Sequence, residues 1–239
     1  MTDVRPRIRA ILFDVGGTLV YEPDMVGWSE QARPFHLGIN PDDLARAYIK
    51  VLAEIGKFSS SQDWEGEIVD FWRRTLSLAA RKVVSRSIAS KFVAANKERS
   101  LPVRLYSDAC PCLDQLRQDH RPLGIISNSD SETRVRQVLE LAGILDYFDR
   151  IVSSGTEGIE KPNPTIFLRA VRRMNVKPAE ALYIGNKADV DARAARSAGL
   201  HGVWVNRGGP GLGTDPSEVA SLLEVPVCVR RIEQGVLVT

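Results

Sequence analysis

The sequence predicts an α/β fold, a doubly wound parallel sheet interrupted by an inserted all-helical domain. Three observations predict it. Through residues 104–239, short apolar runs bounded by turn residues alternate with amphipathic stretches, the pattern of parallel strands joined by right-handed helical crossovers. One more such run stands near the N-terminus, separated from the others by residues 22–103, in which no strand pattern is found. Four of the runs stop abruptly at polar or glycine residues, as strands do at the ligand-binding edge of an open α/β sheet.

Composition sets the outer limits. A chain of 239 residues with 44% hydrophobic and 26% charged residues has the make-up of an ordinary globular protein, long enough for a core domain and a smaller one. The net charge of +2 supplies no field for nucleic acid. No run reaches the length of a membrane-spanning helix, and the Arg5, Arg7, Arg9 start lacks the apolar core of an export signal. Cys110, Cys112 and Cys228 are odd in number and include a C-P-C pair. A reduced, cytoplasmic setting is the simpler reading.

The first strand is Ala10–Phe13, closed by Asp14, Val15, a Gly16-Gly17 pair and Thr18. Its unbroken apolar run suits a strand buried on both faces. In the insert, Asn40-Pro41-Asp42-Asp43 starts a helix by capping, proline in the first turn and acids at the positive end of the dipole. Leu44, Tyr48, Val51, Leu52 and Ile55 follow at helical spacing. A second helix begins near Ser61 or Asp63 and carries Ile68, Phe71, Trp72 and Leu76. A third runs from about Ser85 to Lys97 with Ile88, Phe92 and Val93.

Beyond Pro102, Asp108 is expected to cap a helix with Leu113 and Leu116, and Pro122–Ile126 reads as a strand stopping at Ser127-Asn128. A helix over Glu132–Leu141 ends near Gly143, and Ile151-Val152 is a brief strand. Next come a helix over Pro164–Met174, a strand Ala181–Ile184 stopping at Gly185-Asn186, an alanine-rich helix Val190–Ala198 closed by Gly199, and a strand Gly202–Val205. Residues 207–216 read as a glycine-rich surface loop, Asp215-Pro216 as the start of a last short helix, and Val225–Val238 as an added edge strand.

The strand ends carry the chemistry. Asp14 can act as nucleophile, base or metal ligand, or can simply open a turn. The Ser127 hydroxyl can donate to an anionic oxygen, although Ser-Asn is also an ordinary turn pair. Lys161, in E-K-P-N-P before a helix, can neutralise a carboxylate and a transferred anion, or be a solvated charge. Asn186, Asp189 and Asp191 can offer hard oxygens to Mg²⁺ or form an acidic helix start. Each signal is weak alone; four in this order at four strand ends are not.

In that order FDVGGTLV, IISNS, KPNPTIF and IGNKADVDARAARSAG resemble the four motifs of the haloacid dehalogenase superfamily, and the chain is identified as a member over essentially its whole length. The resemblance implies a Rossmann-like core over 1–21 and 104–239. Residues 22–103 are similar to the helical cap that shields the active site in one subgroup. It implies Asp14 as nucleophile, with Ser127, Asn128 and Lys161 as further catalytic residues. Mg²⁺ would be held by Asp14, the Gly16 carbonyl, Asn186 and, through water, Asp191. Gly17 and Thr18 beside the nucleophile, and Arg33 and His36 early in the cap, are the candidate substrate contacts.

Two departures from the family pattern bear on the chemistry. The phosphatases carry a second Asp, the general acid/base, where this chain has Gly16, and such a group is worth about 10² to 10⁴ in rate. Their acidic metal ligand is here Asn186, which carries no formal charge, so weaker Mg²⁺ binding is implied. Three readings follow: a phosphatase acting on a small phosphorylated metabolite; a metal-independent hydrolase attacking carbon, as in 2-haloacid dehalogenases or, with Lys50 or Lys57 as a Schiff base, phosphonoacetaldehyde hydrolases; and a catalytically weak binding or regulatory protein. The expected partners are a small-molecule substrate and, at most, a second copy of the chain, with no nucleic acid and no membrane. Specificity is expected from the cap, where Trp28, Arg33, Phe35, His36, Trp64, Trp72 and Arg73 are large or polar enough to matter.

Overall fold

The structure, a computed structural model, describes residues 7–21, 25–54, 64–96, 103–208 and 217–236. In chain order the elements are β1 (Ala10–Phe13), α1 (Met25–Ala32), α2 (Pro41–Glu54), α3 (Trp64–Ala80), α4 (Arg86–Ala95), α5 (Ala109–Gln118), β2 (Leu123–Ser127) and α6 (Glu132–Leu141). They continue with β3 (Arg150–Ser153), α7 (Ser154–Glu157), α8 (Pro164–Arg173), β4 (Ala181–Gly185), α9 (Ala194–Ser197), β5 (His201–Val205), β6 (Glu218–Val219) and α10 (Val225–Glu233). The chain divides into two compact units, one of Met1–Tyr21 with Leu105–Thr239 and one of Glu22–Arg104.

The first unit is a six-stranded sheet in the order β3-β2-β1-β4-β5-β6, with every paired neighbour parallel. β1, β2, β4 and β5 are buried along their whole length, which explains their unalternating apolar sequence. On one face Ile166, Phe167, Ala170 and Val171 of α8 and Ala194, Ala195 and Ala198 pack against Leu12, Ile126, Val152 and Tyr183.

The second unit is helical among its described residues. Asn40 caps α2 by accepting the Asp43 N–H at 2.8 Å, and Ser85 caps α4 by accepting from Ile88 at 3.3 Å. The interior is aromatic: Trp72 meets Trp28 edge-on at 4.7 Å, Phe71 at 5.4 Å and Phe92 at 4.9 Å between ring centroids. Trp28, Trp72 and, in part, Phe35 are thus spent on packing. Trp72 is 0% exposed.

Three expectations are corrected, and α1 is an element that the sequence does not announce. α1 lacks any signal strong enough to read beforehand: it is eight residues long with a glycine inside and no acid in its first turn. Its Trp28 and Ala32, one turn apart, are nevertheless buried. Val225–Val238 does not add an edge strand; β6 is that edge, and Val225–Glu233 is helix. The alternation in VPVCV concealed a helical stripe of Val225, Cys228, Val229 and Ile232, with Pro226 in the first turn and Arg230 and Arg231 in the last. The alanine-rich helix opens with a π-helical stretch, Ala188–Arg193, and only then becomes α9. Asp108 does not cap α5 with its side chain; its carboxylate binds Arg207 instead. Ile55, Gly56, Lys57, Ser61, Asp63, Lys97, residues 209–216 with Asp215-Pro216, and the side chain of Trp64 lie outside the described residues. No described helix is long and apolar enough to cross a membrane.

Replacing Trp72 by Ala removes the ring at the centre of the helical unit and is expected to cost about 3–5 kcal/mol. Denaturant unfolding measures this, and a loss below about 1 kcal/mol would contradict the packing described.

Candidate active site

In a sheet ordered 3-2-1-4-5-6 the winding reverses between β1 and β4, and the strand ends open a crevice there. Phe13 pairs with Ile125 on one side and Ile184 on the other, so Asp14, Ser127 and Gly185 emerge at the same sheet edge. The Asp14 N–H is still held by the Ile184 carbonyl at 2.8 Å. The chain then turns tightly, with the Val15 carbonyl accepting from Leu19 at 2.9 Å and Val20 at 3.0 Å.

Lys161 reaches this edge from the opposite side of β2. Its backbone is clamped by Asn128: the Lys161 N–H donates to Asn128 Oδ1 at 2.8 Å, and Asn128 Nδ2 donates to the Lys161 carbonyl at 2.9 Å. Lys161 is 4% exposed, and its ammonium donates to Asp14 Oδ1 at 2.7 Å, Asp191 Oδ1 at 2.8 Å and Tyr183 Oη at 2.8 Å. An ammonium has three protons, and here each has a protein acceptor.

The rest of the network closes around those acceptors. The Thr18 hydroxyl donates to Asp14 Oδ2 at 3.2 Å. The Lys187 N–H donates to Asp191 Oδ2 at 2.9 Å. The Tyr183 hydroxyl lies 3.1 Å from the Ile126 carbonyl and 3.2 Å from Asp191 Oδ1. Gly17 has φ of 77°, and a Cβ there would sit 2.0 Å from Asn186 Nδ2. A Cβ on Gly185 would sit 2.3 Å from Asp191 Cγ, so both glycines are required by close approach rather than by turning alone.

Two carboxylates share one ammonium, and the charges respond accordingly. Burial raises the Asp14 pKa above the ordinary carboxylate value, and the nearby Asp191 adds to this while Lys161 pulls it back. Burial works against the Lys161 charge, but the two carboxylates outweigh it and hold its pKa above the usual lysine value. Burial and the same carboxylates keep the Tyr183 phenol neutral.

The structure thus brings together Asp14, Gly17, Thr18, Lys161, Asn186 and Asp191, with Asn128 one step back on the Lys161 backbone. Ser127 ends β2, 9% exposed. Asp189 is exposed and ion-paired to Arg193 on the protein surface. Arg33, His36 and Lys50 are exposed residues of the helical unit, Arg33 opening a short turn and His36 lying at φ of 53°. Arg73 there pairs with Asp70. Tyr183 is a site residue that sequence reasoning missed. It looked like any aromatic in a buried strand, and its only signal was its place two residues before the Gly185-Asn186 strand end.

A cation can be tested against the same atoms. Among the described residues no cluster of three or more His, Cys, Asp or Glu side chains is arranged for a metal. Asp14 Oδ1 and both Asp191 oxygens already accept hydrogen bonds from the protein. Asn186 Oδ1, in contrast, is buried with no hydrogen-bond partner, packed against the turn that follows Asp14. An unsatisfied buried oxygen of this kind is open to a donor, a water or a hard cation, so among the described residues Asn186 offers the site oxygen whose chemistry suits a cation.

A doubly wound sheet with an aspartate at the end of its central strand, and a lysine and a second aspartate converging on it, defines a class of hydrolase. The chain belongs to it: residues 8–199 match the model of the haloacid dehalogenase-like hydrolases. It is 31% identical over 211 residues to a glyceraldehyde 3-phosphate phosphatase of Methanopyrus kandleri, covering 84% of this chain and 85% of that one. Among solved structures it is similar to a HAD phosphatase from Thermococcus onnurineus, with a TM-score of 0.58 at 25% identity over 93% of this chain and 98% of that one. A 2-haloacid dehalogenase from Pseudomonas syringae matches with a TM-score of 0.58 at 24% identity, over 94% and 99% of the two chains, which shows the shared fold.

Tyr183→Phe removes one acceptor from a buried ammonium and is expected to cost about 1–3 kcal/mol of stability. Lys161→Met leaves two like charges facing each other. With the pull of the lysine gone, the folded-state pKa of Asp14 rises further above its unfolded value, so the stability lost should be greatest at neutral pH and should shrink as pH falls through the carboxylate range. Unfolding curves at pH 7 and pH 4.5 check both, and a Lys161→Met loss that grows toward acid would contradict the charge assignment.

Proposed function

We propose that this protein is a phosphatase acting on a small phosphorylated metabolite, with Asp14 as the nucleophile and Mg²⁺ as a weakly held cofactor. The observation that carries the reading is the buried Asp14–Lys161 pair at 2.7 Å on the ligand-binding edge of the sheet. An Asp14 oxygen forms a bond to phosphorus as the substrate's ester oxygen leaves with the bonding electron pair and takes a proton from solvent water, giving an aspartyl-phosphate and the free alcohol. Water then attacks the phosphorus, releasing inorganic phosphate and restoring the carboxylate. Lys161 favours the ionised form of Asp14 against its burial, the Thr18 hydroxyl orients it, and the Ser127 hydroxyl meets an oxygen of the transferred group.

Asp14, the Gly16 carbonyl, Asn186 and, through water, Asp191 would hold Mg²⁺ in this reading, and the ion would supply charge neutralisation for the phosphoryl group. With Asn186 in place of a carboxylate, the site's two carboxylates and one ammonium sum to a single negative charge, which explains weak retention of the ion. Gly16 supplies no proton to the leaving oxygen, so a substrate with an acidic leaving group is favoured. Arg33 and His36 are proposed as substrate contacts. The relative from Methanopyrus kandleri supports a substrate the size of a triose phosphate.

Hydrolysis of p-nitrophenyl phosphate, whose leaving group needs little protonation, tests the reading. The expected result is turnover that requires Mg²⁺ at millimolar levels and vanishes in Asp14→Asn. Gly16→Asp is expected to raise the rate on alkyl phosphates by about 10²-fold or more. Metal-independent halide release from 2-chloropropionate, with no phosphate hydrolysis, would overturn it in favour of attack at carbon.

A further inference from the structure

We propose that Arg207 is a positioning residue for Asp14, acting through Thr18; this rests on the reading of Asp14 as the nucleophile. Arg207 follows β5 and none of the four sequence motifs contains it. Its side chain is 18% exposed and reaches back across the sheet edge. Nη1 and Nη2 donate to Asp108 Oδ2 and Oδ1, both at 2.9 Å, a bidentate fork. Its Cζ lies 3.7 Å from the centroid of the Tyr106 ring, which is itself stacked on Tyr21 at 3.8 Å. Nη2 also donates to the Thr18 carbonyl at 2.8 Å.

That last bond carries the inference. Two other carbonyls of the turn after Asp14 are held by backbone groups: Leu19 accepts from the Tyr106 N–H at 3.0 Å and Val20 from the Gly17 N–H at 2.7 Å. The Thr18 peptide is held from outside the turn by a guanidinium. The same residue's hydroxyl, 0% exposed, sits 3.2 Å from Asp14 Oδ2, near the outer limit of a useful hydrogen bond. A small rotation of this peptide therefore breaks the contact and frees one side of the nucleophile.

The guanidinium is in turn immobilised. Asp108 accepts not only the fork but also the Ser221 hydroxyl at 2.7 Å and the Leu222 N–H at 2.9 Å. Burial of Asp108 is outweighed by these donors, which hold its pKa below the usual carboxylate value. A planar, stacked, doubly paired group meets geometric requirements that lysine cannot. Arg207 thus relays the position of the Tyr106–Asp108 segment and of Ser221-Leu222 to the nucleophile without touching substrate.

The test compares wild type, Arg207→Lys, Thr18→Val and the double variant. Arg207→Lys keeps a cation beside Asp108 but cannot make the fork and the carbonyl bond together. The readouts are p-nitrophenyl phosphate turnover with Mg²⁺ and hydrogen exchange of the Gly17–Val20 amides. The expected result is kcat about tenfold lower in Arg207→Lys with KM unchanged, faster exchange confined to that turn, and a double variant no slower than Thr18→Val alone. Unchanged kcat, or losses that multiply in the double variant, would overturn the proposal while leaving the phosphatase reading intact. Absence of turnover in wild type would instead count against the phosphatase reading. In that case the exchange measurement decides alone: faster exchange in Arg207→Lys supports the positioning role, and unchanged exchange overturns it.

Discussion

One buried ammonium organises the site. Two carboxylates brought to the same sheet edge repel each other, and burial disfavours both; Lys161, by meeting Asp14 and Asp191 within 2.8 Å, makes their proximity tolerable. Because its third proton goes to Tyr183, the ammonium is fixed in direction as well as in place. The net charge left over is one negative unit, directed to the edge where the strands open.

This arrangement explains choices elsewhere in the chain. Asn128 spends both ends of its amide on the Lys161 backbone, so its contribution is to hold the lysine at the correct depth. Gly185 is small because the Asp191 side chain lies across it, and Gly17 is small because Asn186 does. The π-helical stretch after β4 lies where Asp191 turns inward while Asp189 stays at the surface with Arg193, a common use of π-turns at functional sites. Arg207 holds the Thr18 carbonyl, and the Thr18 hydroxyl meets the other oxygen of Asp14.

Much of this was legible beforehand, for identifiable reasons. β1, β2, β4 and β5 were readable because strands buried on both faces leave unbroken apolar runs, and their ends because glycine, serine and asparagine stop such runs. Asp14, Lys161 and Asp191 were readable only together, because four such signals stand in order at four strand ends, whereas each alone reads equally as a turn, a solvated charge or an acidic helix start. Tyr183 was not, since a tyrosine in a buried strand looks the same whether its hydroxyl meets a carbonyl or a buried lysine. Arg207 and Asp108 were not, because a contact between residues 99 positions apart leaves no local pattern. The last helix was misread because VPVCV alternates as a strand does, and its helical stripe emerges only when Ile232 is included.

The account stands on Lys161 being a protonated, fully hydrogen-bonded ammonium sequestered from water. Nitrogen-15 spectroscopy of lysine side chains observes this directly, with Lys161→Arg assigning the signal. The account expects a Lys161 Nζ resonance of the protonated form, with hydrogens exchanging far more slowly than those of surface lysines, at every pH at which the protein is folded. A neutral amine at pH 7, or exchange as fast as that of an exposed lysine, would contradict it.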